Sequence, residues 1–446
     1  MIVREKDFYV KSASIAVPIA MQSLITIGVN MMDTIMLGTM GETALSASAL
    51  ANQFISIYQV CCMGIGMGAN VLTSRFWGKQ DLVSLKKTVT IMLRLSVVFA
   101  TMFAAATLLI PGAIMRLFTA DEAIIYEGTR YFEWSILSYY FLGISLTLSL
   151  VLRSVGRATV PLMASIVAFF GNIFFNYMFI FGKFGAPRME VAGAALGTLI
   201  ARIIEFSMVV GYTFLKDQNI GYRFRDLFGS CRDLVGEYLN ISIPVLVSDS
   251  LLALGNSAVA MVMGHIGAQF VSANAITAVT QQLSTVFIQG ISQASCIVVG
   301  HTLGTGDRKR AQDQGYTFLL LGVGIGIVAG GIIAAIGAPV ISYYRITEET
   351  AGIAMQLMEA VAFIVIFQSA NSIMTKGVLR GGGDTKFLMV ADILFLWVVS
   401  IPLGAMAGLV WHFEPFWIYV CLKLDQVIKA VWCVFRLKSG KWIKSI

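Results

Sequence analysis

The sequence predicts an all-α integral membrane protein with twelve transmembrane helices, arranged as two parallel six-helix repeats around a central cleft. Three observations carry this. Of 446 residues, 57% are hydrophobic and 13% charged, with a mean hydropathy of +0.79, against about 25% charged in ordinary soluble domains. Uncharged runs long enough to cross a hydrocarbon core of about 30 Å as helices recur along the whole chain. The pattern of prolines, glycines and small polar residues repeats half-way along.

Taken in order, the apolar runs place spans at 13–38, 44–74, 88–110, 131–152, 160–182, 191–215, 238–264, 270–300, 313–341, 353–379, 387–409 and 415–435. The N-terminal MIVREKDFYVK leads into a first helix too long for a signal peptide and lacks a small-residue cleavage site, so it is expected to be retained. With both termini cytoplasmic, the inner segments hold 22 Lys and Arg, and the outer ones hold Arg116, Arg130, Lys183, Arg188 and Arg345. That asymmetry predicts the orientation in a bacterial cytoplasmic (inner) membrane. The net charge of +7 is spread over short loops beside anionic lipid, which excludes a nucleic-acid partner. Six cysteines, Cys61, Cys62, Cys231, Cys296, Cys421 and Cys433, show no CxxC spacing and read as small apolar fillers.

An offset of 226 aligns Pro18 with Pro244, Asn30 with Asn256, Gly38 with Gly264, Gly41 with Gly267, Gly64 with Gly290 and Asp81 with Asp307. An offset of 227 aligns VLRSVG (151–156) with VLRGGG (378–383). Six spans per half is an even number, so the second half enters the membrane in the orientation of the first. The predicted organisation is a six-helix lobe over 1–215, a cytoplasmic linker over 216–237 and a second lobe over 238–446.

Polar chemistry breaks this symmetry. Asp33 stands in GVNMMDTIMLG with no other charge between Ser12 and Glu42, and it aligns with Val259, whereas Asp249 aligns with Ser23. A carboxylate near the middle of a membrane helix costs about 2.5–3.5 kcal/mol on insertion scales, so it must face a partner or a wet cavity. Counting back at 100° per residue, Asn30, Thr26 and Gln22 fall on nearly the same face as Asp33. Gln22 and Asn30 are therefore candidate cavity residues, together with Asp249, Gln281, Gln368 and Asn371 from the second half; Gln368, Asn371, Ser372 and Thr375 recur at helical spacing. Arg202 and Glu205 are expected to satisfy each other. Asp249 either attracts a cationic substrate or anchors Lys376, for which Asp392 is a second candidate partner.

VPIAMQSLITIGVNMMDTIMLGTMG, GNIFFNYMFIFG followed by AGAALGT, and VLRGGGDTK, in this order, resemble the multidrug and toxic compound extrusion (MATE) family over essentially the whole chain. The resemblance implies a two-lobed secondary exporter, not an enzyme, which exchanges inward-moving Na+ or H+ for outward organic, mainly cationic, compounds by alternating access. It also implies a coupling-ion site at Asp33, Asn172, Asn176 and Thr198. Carboxylate, amide and hydroxyl oxygens suit sodium, and a desolvated carboxylate equally suits a proton. Asn176 and Asn371 depart from relatives that carry acids there, and the departure at Asn371 counts against a cation site of that type in the C-terminal half. The expected partners are cationic or amphiphilic small molecules and membrane lipid, with the chain a monomer and no cofactor beyond the coupling ion. The alternative reading is a flippase for a lipid-linked precursor, whose anionic head would call for a cationic cleft. The chain has no GxxxxGK followed by Ser or Thr, no DDxxD, and three scattered histidines, His265, His301 and His412. These absences speak against an ATP-driven pump or a membrane transferase.

Overall fold

The computed structural model describes residues 2–344 and 346–444, so Arg345, one of the expected external charges, lies outside them. The described residues are helical almost throughout. In order the helices are α1 (Lys6–Gly38), α2 (Glu42–Lys79), α3 (Leu82–Leu109), α4 (Pro111–Arg116), α5 (Glu122–Ser135), α6 (Ser138–Ser154), α7 (Thr159–Phe181) and α8 (Val191–Gly211). The second half continues with α9 (Arg232–Ile266), α10 (Ala268–Gly304), α11 (Arg308–Tyr343), α12 (Glu348–Ser372), α13 (Leu379–Gly381), α14 (Thr385–Asp392), α15 (Ile401–Ala405), α16 (Pro415–Leu422) and α17 (Leu424–Lys438).

Most spans run several residues past the apolar stretch into water, because the ladder of backbone hydrogen bonds does not stop where hydropathy does. Among the described residues, ten helical stretches are long and apolar enough to cross a membrane, and α5 with α6, bent by 59°, makes an eleventh. The twelfth is α16 with α17, broken at Lys423. The fourth span therefore begins earlier than its apolar run suggests, and its bend falls at Ile136–Leu137, where neither Gly nor Pro announces it. Four stretches widen into π-helix, three of them in the second half: Ile373–Val378, Ile393–Ser400 and Met406–Val410.

The duplication extends to the helix ends. The Asp81 carboxylate accepts from the backbone N–H of Ser84 at 3.0 Å and starts α3, and its repeat partner Asp307 accepts from Arg310 N–H at 2.9 Å and starts α11. The Ser84 N–H and hydroxyl hold the Asp81 carboxyl below its ordinary range. Gly41 joins α1 to α2 at φ +112°, a conformation that a side chain would strain.

The chain divides into two compact units. The first is Met21–Leu246; the second takes the residues before Met21 and those from Val247 onward. The divisions fall inside α1 and α9, two residues after Pro18 and two after Pro244, and they differ by the repeat offset of 226. In the first unit, Tyr58, Phe103, Phe132 and Tyr139 are buried in one core, with Tyr58 and Tyr139 edge to face at 5.1 Å. In the second unit, Phe8 packs on Phe318 within a core of Val361, Ile364 and Trp442.

Small residues set the distance between α7 and α8. A β-carbon at Gly193 would lie 2.6 Å from the carbonyl oxygen of Phe179, and one at Gly197 would lie 2.9 Å from the backbone nitrogen of Asn176. This close approach, typical of small-residue contacts between membrane helices, brings the polar residues of α7 against Thr198. Gly193→Val is expected to force the two helices apart and cost roughly 1–3 kcal/mol. A lowered thermal midpoint of the purified protein in detergent checks this, and an unchanged one contradicts it.

Candidate functional site

In the first unit three helices converge on Asp33. Asn172 and Asn176, one turn apart on α7, are both almost fully buried. Asn176 donates from Nδ2 to Asp33 Oδ1 at 2.6 Å and to Asn172 Oδ1 at 3.2 Å. Asn172 in turn donates to Thr198 Oγ1 at 3.4 Å. Asp33, Asn176, Asn172 and Thr198 thus form one continuous chain of polar side chains. Asn176 Oδ1 is buried without a partner, on the side where Gly197 has no side chain. Among the described residues no basic side chain pairs with Asp33: Arg202, which lines the same cavity, pairs with Glu205 at 2.8 Å.

A cavity of about 250 Å³ opens beside this chain, lined by Asn30, Asp33, Asn52, Tyr131, Thr198 and Arg202 among others. Tyr131 on α5 lies beside Thr198 and donates to Asn52 Oδ1 at 3.3 Å. An adjoining cavity of about 190 Å³ is lined by Gln22, Thr26, Asn30, Asn172 and Glu205. There Arg153 donates to Gln22 Oε1, Gln22 to Ser165 at 2.8 Å, and Ser165 to Glu205 at 3.0 Å. The Arg202–Glu205 pair is thereby part of a five-residue network, and Thr26 turns back onto the carbonyl of Gln22. The two cavities share Asn30, Thr198 and Arg202, and of the carboxylates lining them Glu205 is ion-paired and Asp33 is not, an arrangement that suits reversible binding of a cation.

The second unit gathers a different set. Gln281, Gln368 and Asn371 line a cavity of about 170 Å³, where Gln281 donates to Gln368 at 2.9 Å and accepts from Tyr419, and Asn371 donates to Gln426 at 2.8 Å. Asp249 does not line this cavity. Its partner is Arg380, at 3.0 and 3.4 Å, and not Lys376. Asp392 likewise pairs with Lys429 at 2.9 Å and accepts from Ser248, leaving Lys376 aside. The expectation of a Lys376 anchor assumed regular α-helical register. The π-helical stretch Ile373–Val378 adds a residue to the turn, which leaves Lys376 on the cavity side and turns Arg380 to Asp249.

Arg380 is the repeat partner of Arg153, and each reaches to the first helix of its own half, Arg380 to Asp249 and Arg153 to Gln22. The conserved element between the halves is therefore an arginine whose acceptor has shifted by one position. Sequence reasoning missed Arg153, Tyr131 and, above all, Lys423, Asp425 and Lys429 in the last span. The signal for the last three was present: Asp425 and Lys429 are four apart within an otherwise apolar run. Lys429 Nζ lies 2.9 Å from both Asp392 and Asp425, all three side chains being nearly inaccessible.

These features define a class, a duplicated twelve-span membrane protein with buried polar networks inside each unit. The MatE family model matches residues 18–178 and again 244–406, once in each half, and the chain belongs to that family. It is 24% identical over 434 residues, 96% of this chain and 92% of the relative, to the "Probable multidrug resistance protein NorM" of Thermotoga maritima. A "Multidrug resistance protein NorM" of Burkholderia vietnamiensis is also 24% identical, covering 89% of this chain and 86% of its own. Among solved structures, the fold is similar to that of a Vibrio cholerae MATE transporter, with a TM-score of 0.88, 14% identity and 97% of each chain covered.

Breaking the buried triad should be costly. Lys429→Met leaves Asp392 and Asp425 facing each other without a cation, and is expected to lower stability by about 3–5 kcal/mol. Adding Asp392→Asn and Asp425→Asn should recover much of that loss. Thermal melts of the single and triple variants in detergent check the pair of outcomes.

Proposed function

We propose that this chain is a secondary active multidrug exporter that exchanges inward-moving Na+ or H+, taken up at Asp33, for outward-moving organic, mainly cationic, compounds. The reading rests on Asp33: a half-buried carboxylate within a membrane span, with a neutral amide as its hydrogen-bond partner and a polar-lined cavity beside it. The names of the relatives point the same way. The proposed setting is the bacterial cytoplasmic membrane, with both termini cytoplasmic and the chain acting as a monomer.

An ion neutralising Asp33 would meet a donor set that fits either cargo. For sodium, the Asp33 carboxylate and the Thr198 hydroxyl supply hard oxygens, and a flip of the Asn176 amide would turn its unpartnered Oδ1 toward Asp33 in place of Nδ2. For a proton, the carboxylate alone suffices, and Asn176 then bonds the neutral acid. Whichever ion binds, neutralisation changes the charge of the cavity by one unit beside Arg202 and Glu205. A positively charged compound and the ion would then compete for the same negative charge, the reciprocal coupling that exchange by alternating access needs.

Magnitudes limit what one site can drive. One inward cation for one outward monovalent cation moves no net charge, so the ion's concentration gradient alone drives export, at about 1.4 kcal/mol per tenfold. A second ion would add about 2.3 kcal/mol per 100 mV. Rhodamine 6G efflux from proteoliposomes, run first with a sodium gradient alone and then with a proton gradient alone, identifies the ion. Asp33→Asn is expected to abolish gradient-driven efflux while leaving the thermal midpoint near that of the parent. Normal efflux in that variant, or no efflux under either gradient in the parent, defeats the proposal.

A further inference from the structure

We propose that the cavity of the second unit is an organic-anion subsite, which takes a carboxylate or sulfonate of the exported compound between Lys376 and Lys423; its cargo assignment rests on the exporter reading above. The charged residues lining this cavity are Lys376, Asp392, Lys423, Asp425 and Lys429. Lys429 is held between Asp392 and Asp425 at 2.9 Å each, so these three form a closed group with a charge of −1. Lys376 and Lys423 add +2, and the ionised lining carries +1. Among the described residues neither of these two lysines has a carboxylate within 4.0 Å, and Asp249 on α9 is taken by Arg380.

The amides around the two lysines are turned to donate. Lys423 gives a hydrogen bond to Asn256 Oδ1 at 3.1 Å, which leaves the Asn256 amide N–H groups for another acceptor. Gln368 accepts from Gln281 on its oxygen, which likewise leaves its own N–H groups. Two ammonium groups and two amide donors thus face one cavity. Two buried oxygens without partners, Asn371 Oδ1 and Asp425 Oδ1, repel an anion, so the ammonium groups decide where it sits. A mobile cation is disfavoured here, because Lys429 already stands between the carboxylates as a cation that cannot leave. An ammonium inside a membrane span is costly unless it has a partner, and Lys423, at the break between α16 and α17, has only a neutral one. An anionic group on the cargo would supply the missing partner.

The test measures saturable binding of carboxyfluorescein, by fluorescence anisotropy, to the full chain in phosphatidylcholine nanodiscs. Lys376→Gln with Lys423→Gln is expected to weaken binding roughly tenfold or more, as loss of charge-assisted hydrogen bonds does. The charge-retaining Lys376→Arg with Lys423→Arg should keep it within roughly threefold. If the double glutamine variant does not fold, Lys376→Gln alone, at an exposed position, carries the same test with a smaller weakening. Absence of saturable binding in the parent, or equal affinity in a glutamine variant whose thermal midpoint matches the parent, overturns the subsite. Displacement of the dye by soluble glycerophosphate but not by acetate, in phosphatidylcholine nanodiscs at fixed ionic strength, gives the site to a lipid phosphate head and overturns the cargo assignment. Binding needs no ion gradient, so failure of rhodamine 6G export with intact carboxyfluorescein binding counts against the exporter reading and not against this site.

Discussion

The cost of keeping an ionised side chain away from water orders the interior of this protein. Each buried carboxylate faces the same penalty, and the two units meet it differently. In the second unit the solution is internal, with Lys429 between Asp392 and Asp425, and Arg380 on Asp249. In the first unit Glu205 has Arg202, but Asp33 has only the amide of Asn176 and the cavity beside it. An amide donor offsets part of the desolvation cost and none of the charge. Among the described residues Asp33 has no ion-pair partner, and Arg202, which lines the same cavity, is paired with Glu205.

Duplication explains why the two halves share a frame and differ in chemistry. Glycines, prolines and caps are bound to backbone geometry: Asp81 and Asp307 start equivalent helices, and Gly64 and Gly290 each admit close packing by neighbouring residues. A substitution at such a position disturbs the fold of its half. Polar residues facing a cavity carry no such constraint, so they are free to diverge. The arginines at positions 153 and 380 stand between these cases, since both reach the first helix of their half but find Gln22 in one and Asp249 in the other.

What the sequence could reveal followed from the strength of each signal. The span order and the repeat were legible because they rest on hundreds of residues of hydropathy and on a register that shifts by one residue between its two matched stretches. Asp33 was legible because a lone charge in an apolar helix has few bland explanations, and Asn172 with Asn176 because a four-residue spacing shares a face. Partners across helices were not legible from spacing, and the grouping of Asp33, Asn172, Asn176 and Thr198 came with the family resemblance alone. The π-helical turn over 373–378 changes the register that a 3.6-residue count assumes, which is why Lys376 was matched to acids that in fact hold Arg380 and Lys429. Lys423, Asp425 and Lys429 were hidden for a different reason: averaging hydropathy over 415–435 treats three charges as noise, although charges that neutralise one another inside a span are the ones most tied to a specific tertiary arrangement.

The contrast between the units then has a physical consequence for any ion that binds. Binding at Asp33 removes the charge of a carboxylate that has no ion-pair partner among the described residues, so the surrounding polar chain, from Asn176 through Asn172 to Thr198, meets a neutral centre in one state and a negative one in the other. The triad around Lys429 offers no comparable pair of states, because its cation is part of the backbone-tethered chain and its exchange would leave two carboxylates facing each other at the cost of a broken buried pair. A device that responds to an external ion needs at least one buried charge left unsatisfied by the fold itself. Asp33 meets that requirement, since it lines a cavity and accepts a hydrogen bond from a neutral amide.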